Sequence, residues 1–284
     1  MELYILNGLV LGSIYALIAL GLNLIWSITD IPDFSQGGIY VISAYIVYFC
    51  IVSLSIPWYI AILIAAFSGA IMAYAFEKLL YRRWRGRTDH IQLLCAIALF
   101  FLLANLAIYL WTAKSLNLDH YIIGKVEIFG TGVSYQRLMI IAGVIILFVI
   151  INVFLKKTKT GKAIRAATQD IEVAPWMGID INKVFSIIFA MGGALSAFAA
   201  TLIAPVFAVY PMMGELPLLK ALVVVILGGK GSLAGTLIAG IGLGVLESLG
   251  AGYISASYQH GYAFIILLVF LVLRPQGMFG SRKE

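Results

Sequence analysis

The chain has 284 residues, of which 62% are hydrophobic and only 11% are charged, and its mean hydropathy is +1.03. This composition excludes a soluble globular domain and indicates a membrane protein. The formal net charge is +6, but most of the basic residues stand in short clusters between apolar runs, so the charge indicates membrane topology and no nucleic-acid partner.

Apolar runs in chain order predict the membrane spans. A hydrocarbon core of about 30 Å takes roughly 20 helical residues. The first run has no basic residue before it and is too long for a signal peptide, so we expect a retained first helix. Nine runs meet the requirement approximately, near residues 3–28, 38–54, 57–76, 91–112, 135–155, 183–205, 216–229, 233–254 and 259–273. Because several are short or broken by glycine, we expect eight to ten spans in one all-α polytopic domain over residues 1–284.

The basic clusters predict which side of the membrane each end faces. Lys and Arg are retained on the cytoplasmic side, mainly in short loops. Counting spans back from the first cluster places the N-terminus outside and the C-terminus in the cytoplasm. The three clusters hold fourteen of the nineteen basic residues: Lys78, Arg82, Arg83, Arg85 and Arg87; Lys156, Lys157, Lys159, Lys162, Arg165 and Lys183; and Arg274, Arg282 and Lys283.

An odd number of spans in the first half would start the second half from the opposite side, which is the arrangement of an inverted repeat. Each half has a Pro/Gly-rich interruption after its first helix, at Thr29–Gly38 and at Tyr210–Leu218. Non-helical backbone at membrane depth survives where it is buried in protein or lines a watery cavity. Two ordinary loops are the alternative interpretation.

Small residues recur at four-residue spacing in three runs, which lets helix backbones approach closely in lipid. Helix packing without further function is the more usual explanation of each stripe alone. The stripes are Gly8 and Gly12; Gly192, Ser196, Ala200 and Ala204; and Gly240, Gly244, Ser248 and Gly252.

Polar residues inside apolar runs are costly and are therefore candidates for a transport pathway. Glu247 lies midway along the eighth run, where it lines a pathway or bonds a neighbouring helix. Lys220 lies near the outer end of the seventh run, and we expect its ammonium to reach water there. Asn7, Tyr15 and Asn23 follow one another along the first helix, and Asn23, Ser35 and Gln36 could contact a zwitterion. Hydrogen bonding within the core is the alternative for these residues.

The sequence predicts no catalytic group, no metal site and no cofactor. His90, His120 and His260 form no cluster with one another, and Cys50 and Cys95 are expected to be packing residues. The loop from Gly228 to Ser232 resembles a phosphate loop only superficially, because that motif needs glycine where Val224 stands and Ser or Thr where Gly231 stands. We therefore expect no ATP binding by this motif and no enzyme activity.

One polar island interrupts the hydrophobic chain. Residues 157–182 contain the stretch KTGKAIRAATQDIEVAPWMGIDIN, which mixes small residues and charges and ends in Pro175 to Gly178. Such a composition predicts a short surface helix that ends before Pro175 to Gly178. A membrane subunit that keeps one compact cytoplasmic segment is expected to dock a partner there.

Three blocks together resemble the permease subunits of ABC importers for branched-chain amino acids: NGLVLGSIYALIALGLNLIWSITDIPDFSQGG from Asn7, TGKAIRAATQDIEVAPWMGIDINKVFSIIFAMGGALSAFAATL from Thr160, and LKALVVVILGGKGSLAGTLIAGIGLGVLE from Leu219 with LRPQGMFG from Leu273. The resemblance runs nearly end to end. Where this family usually has an NFAHG-like stretch, the chain reads DFSQG from Asp33 to Gly37, a departure that bears on the substrate.

The resemblance implies an importer in a bacterial-type inner membrane, with two permease subunits, identical or related, two cytoplasmic ATPases that bind the ATP, and an extracytoplasmic solute-binding protein. The island would be the coupling helix in a cleft of the ATPase, with Gly161, Arg165, Ala166, Ala167, Asp170, Glu172, Ala174 and Gly178 at the contact. The pathway would be lined by Asn7, Tyr15, Asn23, Ser35, Gln36, Gly37 and Glu247.

The resemblance implies leucine, isoleucine or valine as substrate, with other amino acids, short amides and urea as alternatives. An ion-coupled secondary transporter would share the inverted halves and Glu247 but would leave the island unexplained. An intramembrane enzyme would need clustered carboxylates or histidines at one membrane face.

Overall fold

A computed structural model describes residues 2–85, 89–119, 121–122, 124–128, 131–274 and 277–279. The predicted cytoplasmic residues Arg87, Arg282 and Lys283, and His120, lie outside these ranges. The described chain is almost wholly helical, which confirms an all-α polytopic fold.

The helices are α1 (Glu2–Thr29), α2 (Ser35–Val52), α3 (Trp58–Phe76), α4 (Arg82–Trp84), α5 (Asp89–Trp111), α6 (Tyr135–Lys157), α7 (Lys159–Gln169), α8 (Ile181–Ile203), α9 (Glu215–Gly228), α10 (Leu233–Tyr253) and α11 (Gln259–Leu273). A π-helical turn at Glu77–Tyr81 joins α3 to α4, and 3₁₀ turns lie at Ala174–Met177 and Ala256–Tyr258. Strands β1 (Lys125–Ile128) and β2 (Thr131–Ser134) form an antiparallel hairpin in which Lys125 pairs with Ser134. This hairpin was not predicted.

Eight helices of the described chain are long and apolar enough to cross a membrane, which confirms the predicted range of eight to ten. The seventh predicted run, near residues 216–229, corresponds to α9, which has only 14 residues. At about 1.5 Å per residue it is roughly 21 Å long, shorter than a hydrocarbon core of about 30 Å. Residues between Ile203 and Glu215 form turns that lead into it.

The small-residue stripes lie where helices touch. A methyl group built on Gly244 of α10 would be 2.2 Å from the backbone nitrogen of Gly12 of α1. A methyl group on Gly193 of α8 would be 2.4 Å from the carbonyl oxygen of Gly69 of α3. Real side chains do not fit such gaps, so glycine is required for these two helix pairs to approach so closely. α1 packs against α6, α8, α9 and α10 and is mostly buried.

The basic clusters lie on one face of the molecule. Arg85, after α4, donates a hydrogen bond of 2.8 Å to Asn182 at the start of α8. The hydroxyl of Tyr81 donates to Asp33, which follows α1, at 2.6 Å. The tail joins the same face, because the backbone nitrogen of Phe279 donates to the carbonyl of Gly228 at 3.3 Å. We call this the basic face; its assignment to the cytoplasm, and the inverted relation of the two halves, stay predictions.

The predicted interruptions are shorter than the sequence suggested. α1 continues to Thr29 and α2 begins at Ser35, so Gly37 and Gly38 are helical. The second interruption ends where α9 begins at Glu215. The two regions meet, because a methyl group on Gly214 would be 2.3 Å from the carbonyl oxygen of Gly37. The first turn of α2 is therefore packed against the turn that precedes α9.

Candidate functional site

A buried ion pair lies at the centre of the membrane domain. Lys220 Nζ of α9 is 2.6 Å from Glu247 Oε1 of α10, and the two side chains are 2% and 0% exposed. Tyr15 of α1 bridges them: its hydroxyl donates to Glu247 Oε2 at 3.0 Å and accepts from Lys220 Nζ at 2.8 Å. Three helices are thus tied through one polar cluster.

The expectation that Lys220 reaches water was wrong. α9 packs against α1, α10 and α11, which cover the lysine, and Glu247 supplies the opposite charge that makes its burial tolerable. A buried charge without such a partner would cost several kcal/mol. The third neighbour of the ammonium is His260 Nδ1 of α11, at 3.0 Å.

A cavity of about 700 Å³ opens beside this cluster, on the side of the molecule away from the basic face. Its volume is within the range of about 300–1,000 Å³ typical of small-molecule sites. Along α1 it extends from Tyr4 to Tyr15. Its polar lining includes Asn7, Tyr15, Tyr40, Arg137, Lys220, Ser248, Gln259 and His260, and its apolar lining includes Val10, Leu11, Ile203, Val206, Met213 and Leu216.

Arg137 and Tyr40 are two of the cavity residues that were not predicted as site residues. Arg137, near the start of α6, donates a hydrogen bond to Asn7. In the sequence, Arg137 could have been recognised as a basic residue that stands outside the three basic clusters. Tyr40 of α2 is 1% exposed, and its hydroxyl has no hydrogen-bond partner among the described residues. Nothing in the sequence distinguishes Tyr40 from other aromatic residues of apolar helices.

The predicted pathway residues do not form a single site in the structure. Asn7 and Tyr15 line the cavity, and Glu247 lies directly behind it. Asn23 lies near the basic face, where its amide donates to Thr236 Oγ1 at 2.6 Å and to the carbonyl of Ser232 at 3.2 Å, and accepts from the nitrogen of Gly231 at 2.8 Å. These bonds attach α1 to the α9–α10 loop, which accords with the alternative of core hydrogen bonding.

Ser35, Gln36 and Gly37 also lie outside the cavity. Gln36 Nε2 donates to the buried carboxylate of Asp33 at 3.3 Å, and its Oε1 accepts from Ser196 of α8 at 2.5 Å. The backbone nitrogen of Ser35 donates to the same Asp33 at 3.0 Å. The DFSQG departure therefore forms a buried polar cluster with α8, and Gly37 packs against Gly214.

The polar island folds as α7, a turn and the 3₁₀ segment before α8. Thr158 caps α7 by accepting from the nitrogen of Gly161 at 2.9 Å. Gly161, Ala167 and Ala174 are buried, and a methyl group on Gly161 would be 2.3 Å from the carbonyl oxygen of Phe154. These small residues set the shape of the segment, and their predicted contact with an ATPase stays a prediction.

The outward surface of the island comes from other residues. Arg165, Asp170, Glu172 and Gly178 are exposed, and Ala166 is half-buried. Asp170 Oδ1 also accepts from the backbone nitrogens of Glu172 and Val173, so it shapes the turn.

Trp176 and Met177 project furthest, at 88% and 78% exposed, and the sequence analysis did not single them out. At the end of the island, the backbone N–H of Lys183 donates to Asp180 at 3.2 Å and lowers the pKa of that carboxyl.

A second buried acid ties the island to α3. Glu77, 0% exposed in the π-helical turn, is 2.6 Å from Arg85 Nη2 and accepts from the Ser186 hydroxyl at 2.6 Å. Arg85 also lies over the ring of Phe185, 3.7 Å from its centroid, and bonds Asn182. The start of α8 is therefore fixed to the end of α3 by charges, and π-helical turns of this kind are frequent at functional sites.

The helices, the buried ion pair and the cavity define a multi-pass membrane protein with a chamber between its helices. The family described as "Branched-chain amino acid transport system / permease component" matches residues 4–273, and the chain belongs to it.

Curated relatives match over almost the full length. The chain is 31% identical to the high-affinity branched-chain amino acid transport system permease protein BraD of Pseudomonas aeruginosa, over 97% of this chain and 94% of that protein. It is 28% identical to the corresponding LivH of Escherichia coli, over 96% and 94%. It is 25% identical to a probable LivH of Methanocaldococcus jannaschii, over 98% and 93%.

Proposed function

We propose that the chain is a permease subunit of an ATP-driven importer in a bacterial-type inner membrane and that it carries branched-chain or similar hydrophobic amino acids. It would pair with a second permease, identical or related, receive substrate from an extracytoplasmic solute-binding protein, and use two cytoplasmic ATPases. The chain would bind no cofactor, since ATP would be held by the ATPases. The family match over residues 4–273 carries this proposal.

The exposed surface of the island supports the ATPase contact. Trp176 and Met177 form an apolar projection on the basic face, flanked by the exposed charges of Arg165 and Glu172. An exposed apolar projection with a polar rim is typical of a protein interaction site, and Trp is among the residues that contribute most to such interfaces. We infer that these two side chains enter the ATPase cleft.

The contacts of Glu77 suggest how movement of the island would reach the membrane. A displacement of the segment before α8 would pull on Asn182, which is bonded to Arg85, and through Arg85 on Glu77 of the α3 turn. α3 and α8 also touch through Gly69 and Gly193. The two helices would thus move together, and the cavity beside α1 would open or close with them.

The test is co-purification of the tagged chain with its ATPase after Trp176→Ala. Removing a central interface aromatic residue typically costs at least about 2 kcal/mol, a loss of roughly thirtyfold in affinity. We expect the ATPase to be lost from the complex and ATP-driven uptake in liposomes to fall with it. Arg165→Glu is expected to weaken the same contact, to a smaller extent because exposed charges contribute little.

Tyr258→Ala is the matched control, because Tyr258 is another exposed aromatic residue, 71% exposed, beside the cavity-side end of α10. It should leave ATPase binding unchanged. Retention of the ATPase by Trp176→Ala, together with normal uptake, would contradict the docking assignment. Uptake by the wild-type chain alone, without ATP, would contradict the importer and favour a secondary transporter.

A further inference from the structure

We call the part of the cavity lined by Tyr15, Tyr40 and Lys220 its floor. One hydroxyl at this floor forms no hydrogen bond within the described part of the protein. Tyr40 is fully buried and lines the cavity, yet its hydroxyl has no partner among the described residues. An unpaired buried hydroxyl costs free energy, so such groups usually bond a ligand, water or another polar group. Tyr40 therefore marks the floor as a place where an acceptor from outside the chain belongs.

The Lys220 ammonium lies at the same floor and has one exchangeable bond. Two neighbours of the ammonium, Glu247 Oε1 at 2.6 Å and the Tyr15 hydroxyl at 2.8 Å, are buried with it. Its third neighbour is His260 Nδ1, at 3.0 Å, and His260 is exposed and lines the cavity. Because His260 belongs to α11 and borders the open volume, this bond can be replaced without disrupting the ion pair.

On the α1 side, the wall above the floor is apolar. Val10 and Leu11 separate the floor at Tyr15 from the polar pair of Asn7 and Arg137. Eight residues of helix from Asn7 to Tyr15 correspond to about 12 Å. A small amphiphile with its charged end at the floor would therefore place an aliphatic chain against this wall and Val206.

We propose that the cavity floor is a binding site for the carboxylate of an aliphatic amino acid, held by the hydroxyl of Tyr40 and the ammonium of Lys220. The carboxylate takes the Lys220 proton now directed at His260, and the freed Nδ1 of His260 accepts from the amino group of the same ligand. One hydrogen bond is thus exchanged for two, and Tyr40 gains its missing partner. The inference rests on the proposed function and specifies where the substrate sits within it.

Glu247 explains why such a site would release its ligand. It is completely buried behind Lys220 and does not line the cavity, so it neutralises the ammonium from the protein side. The floor then has no net charge to trap an anion, and it selects by the geometry of its donors. A transport site needs this combination of recognition and weak affinity.

The experiment measures equilibrium binding of radiolabelled leucine to the purified full chain in detergent, without ATPase or solute-binding protein. Unlabelled 4-methylpentanoate, which keeps the carboxylate, should compete, and leucinamide, which lacks it, should compete much less. Tyr40→Phe should weaken leucine binding about tenfold, as expected for the loss of one hydrogen bond to a charged group.

Tyr45→Phe is the matched control. Tyr45 lies on the same helix, its hydroxyl is also buried without a partner among the described residues, and its ring stacks on Trp111 away from the cavity. Both variants remove an unsatisfied hydroxyl, so neither should lower the melting temperature. Tyr45→Phe should bind leucine like the wild type.

Equal leucine binding by Tyr40→Phe and Tyr45→Phe would overturn the proposal, as would competition by leucinamide equal to that by 4-methylpentanoate. Failure of the importer assignment would look different. In that case the wild-type chain would show no ATP-driven uptake with its ATPases, while binding by the isolated chain would still report on the cavity floor.

Discussion

At the scale of single residues, the Lys220–Glu247 pair has to be understood as a unit. Each charge makes the other's burial tolerable, and Tyr15 satisfies one further oxygen of the carboxylate. A buried ion pair gives little net stability compared with an apolar pair of the same size, but removing one partner leaves an uncompensated charge. Stability should therefore depend on whether the pair is broken or replaced as a whole.

Glu247→Gln is expected to lower the free energy of unfolding by about 3–5 kcal/mol, because it leaves the Lys220 ammonium buried without its counter-charge. Denaturation of the purified protein in a fixed detergent, followed by a fluorescent thiol or tryptophan signal, measures this change. Uptake in the reconstituted importer should fall in parallel.

The double variant Lys220→Met with Glu247→Leu is the control, since it removes both charges and keeps an apolar volume. It should recover most of the stability lost in Glu247→Gln. The interpretation would be contradicted by a single variant as stable as the wild type, or by a double variant less stable than the single one. A stable double variant that no longer transports would assign the charges to the pathway.

At the scale of elements, the α1–α10 contact depends on the absence of side chains. Gly244→Val would place a side chain 2.2 Å from the backbone of Gly12, which no rotamer can relieve. We expect it to destabilise the protein by at least about 3 kcal/mol and to lower its yield in the membrane, because overpacking against backbone forces the helices apart. The yield and melting temperature of a fluorescent fusion protein give the measurement.

Gly242→Val tests whether the effect comes from the contact. Gly242 lies on the same helix, two residues away, and a methyl group there would meet nothing within 4 Å. The substitution has the same effect on helix propensity in both places, so the difference between the variants reports the α1–α10 contact alone. Equal melting temperatures would mean that the helices do not pack as closely as described.

Part of the fold can be predicted from the pattern of residues alone. Apolar runs predicted the spans, because their length is imposed by the bilayer. The stripe at Gly240 and Gly244 predicted a close contact but not its partner, Gly8 and Gly12 of α1.

The site was harder to predict. Glu247 could be predicted as a candidate because an intramembrane carboxylate is costly. Its partner Lys220 was expected to reach water, because position along the chain does not reveal that three helices cover α9. Tyr40 and Trp176 gave no signal, because their burial and exposure arise only from the tertiary fold.

At the scale of the whole molecule, the route of α9 decides the topology. The helix begins beside the cavity, which Leu216 lines, and ends at Gly228, which bonds the tail on the basic face. Although it is only 14 residues long, it therefore connects the two sides, with the turns before it covering the remaining depth. Three helices, α8, α9 and α10, then separate Trp176 from Tyr258, and an odd number of crossings places these residues on opposite sides of the membrane.

Cysteine labelling with a membrane-impermeant maleimide tests this arrangement. The native cysteines, Cys50 and Cys95, are buried and can be replaced by alanine to give an unreactive background. In that background Tyr258→Cys should be labelled in right-side-out vesicles, and Trp176→Cys only in inside-out vesicles, because Lys and Arg clusters remain in the cytoplasm. Both positions are highly exposed, at 71% and 88%, so access to the reagent depends on the side alone. Labelling of both from the same side would mean that α9 does not complete a crossing, and labelling from exchanged sides would mean that the basic face lies outside.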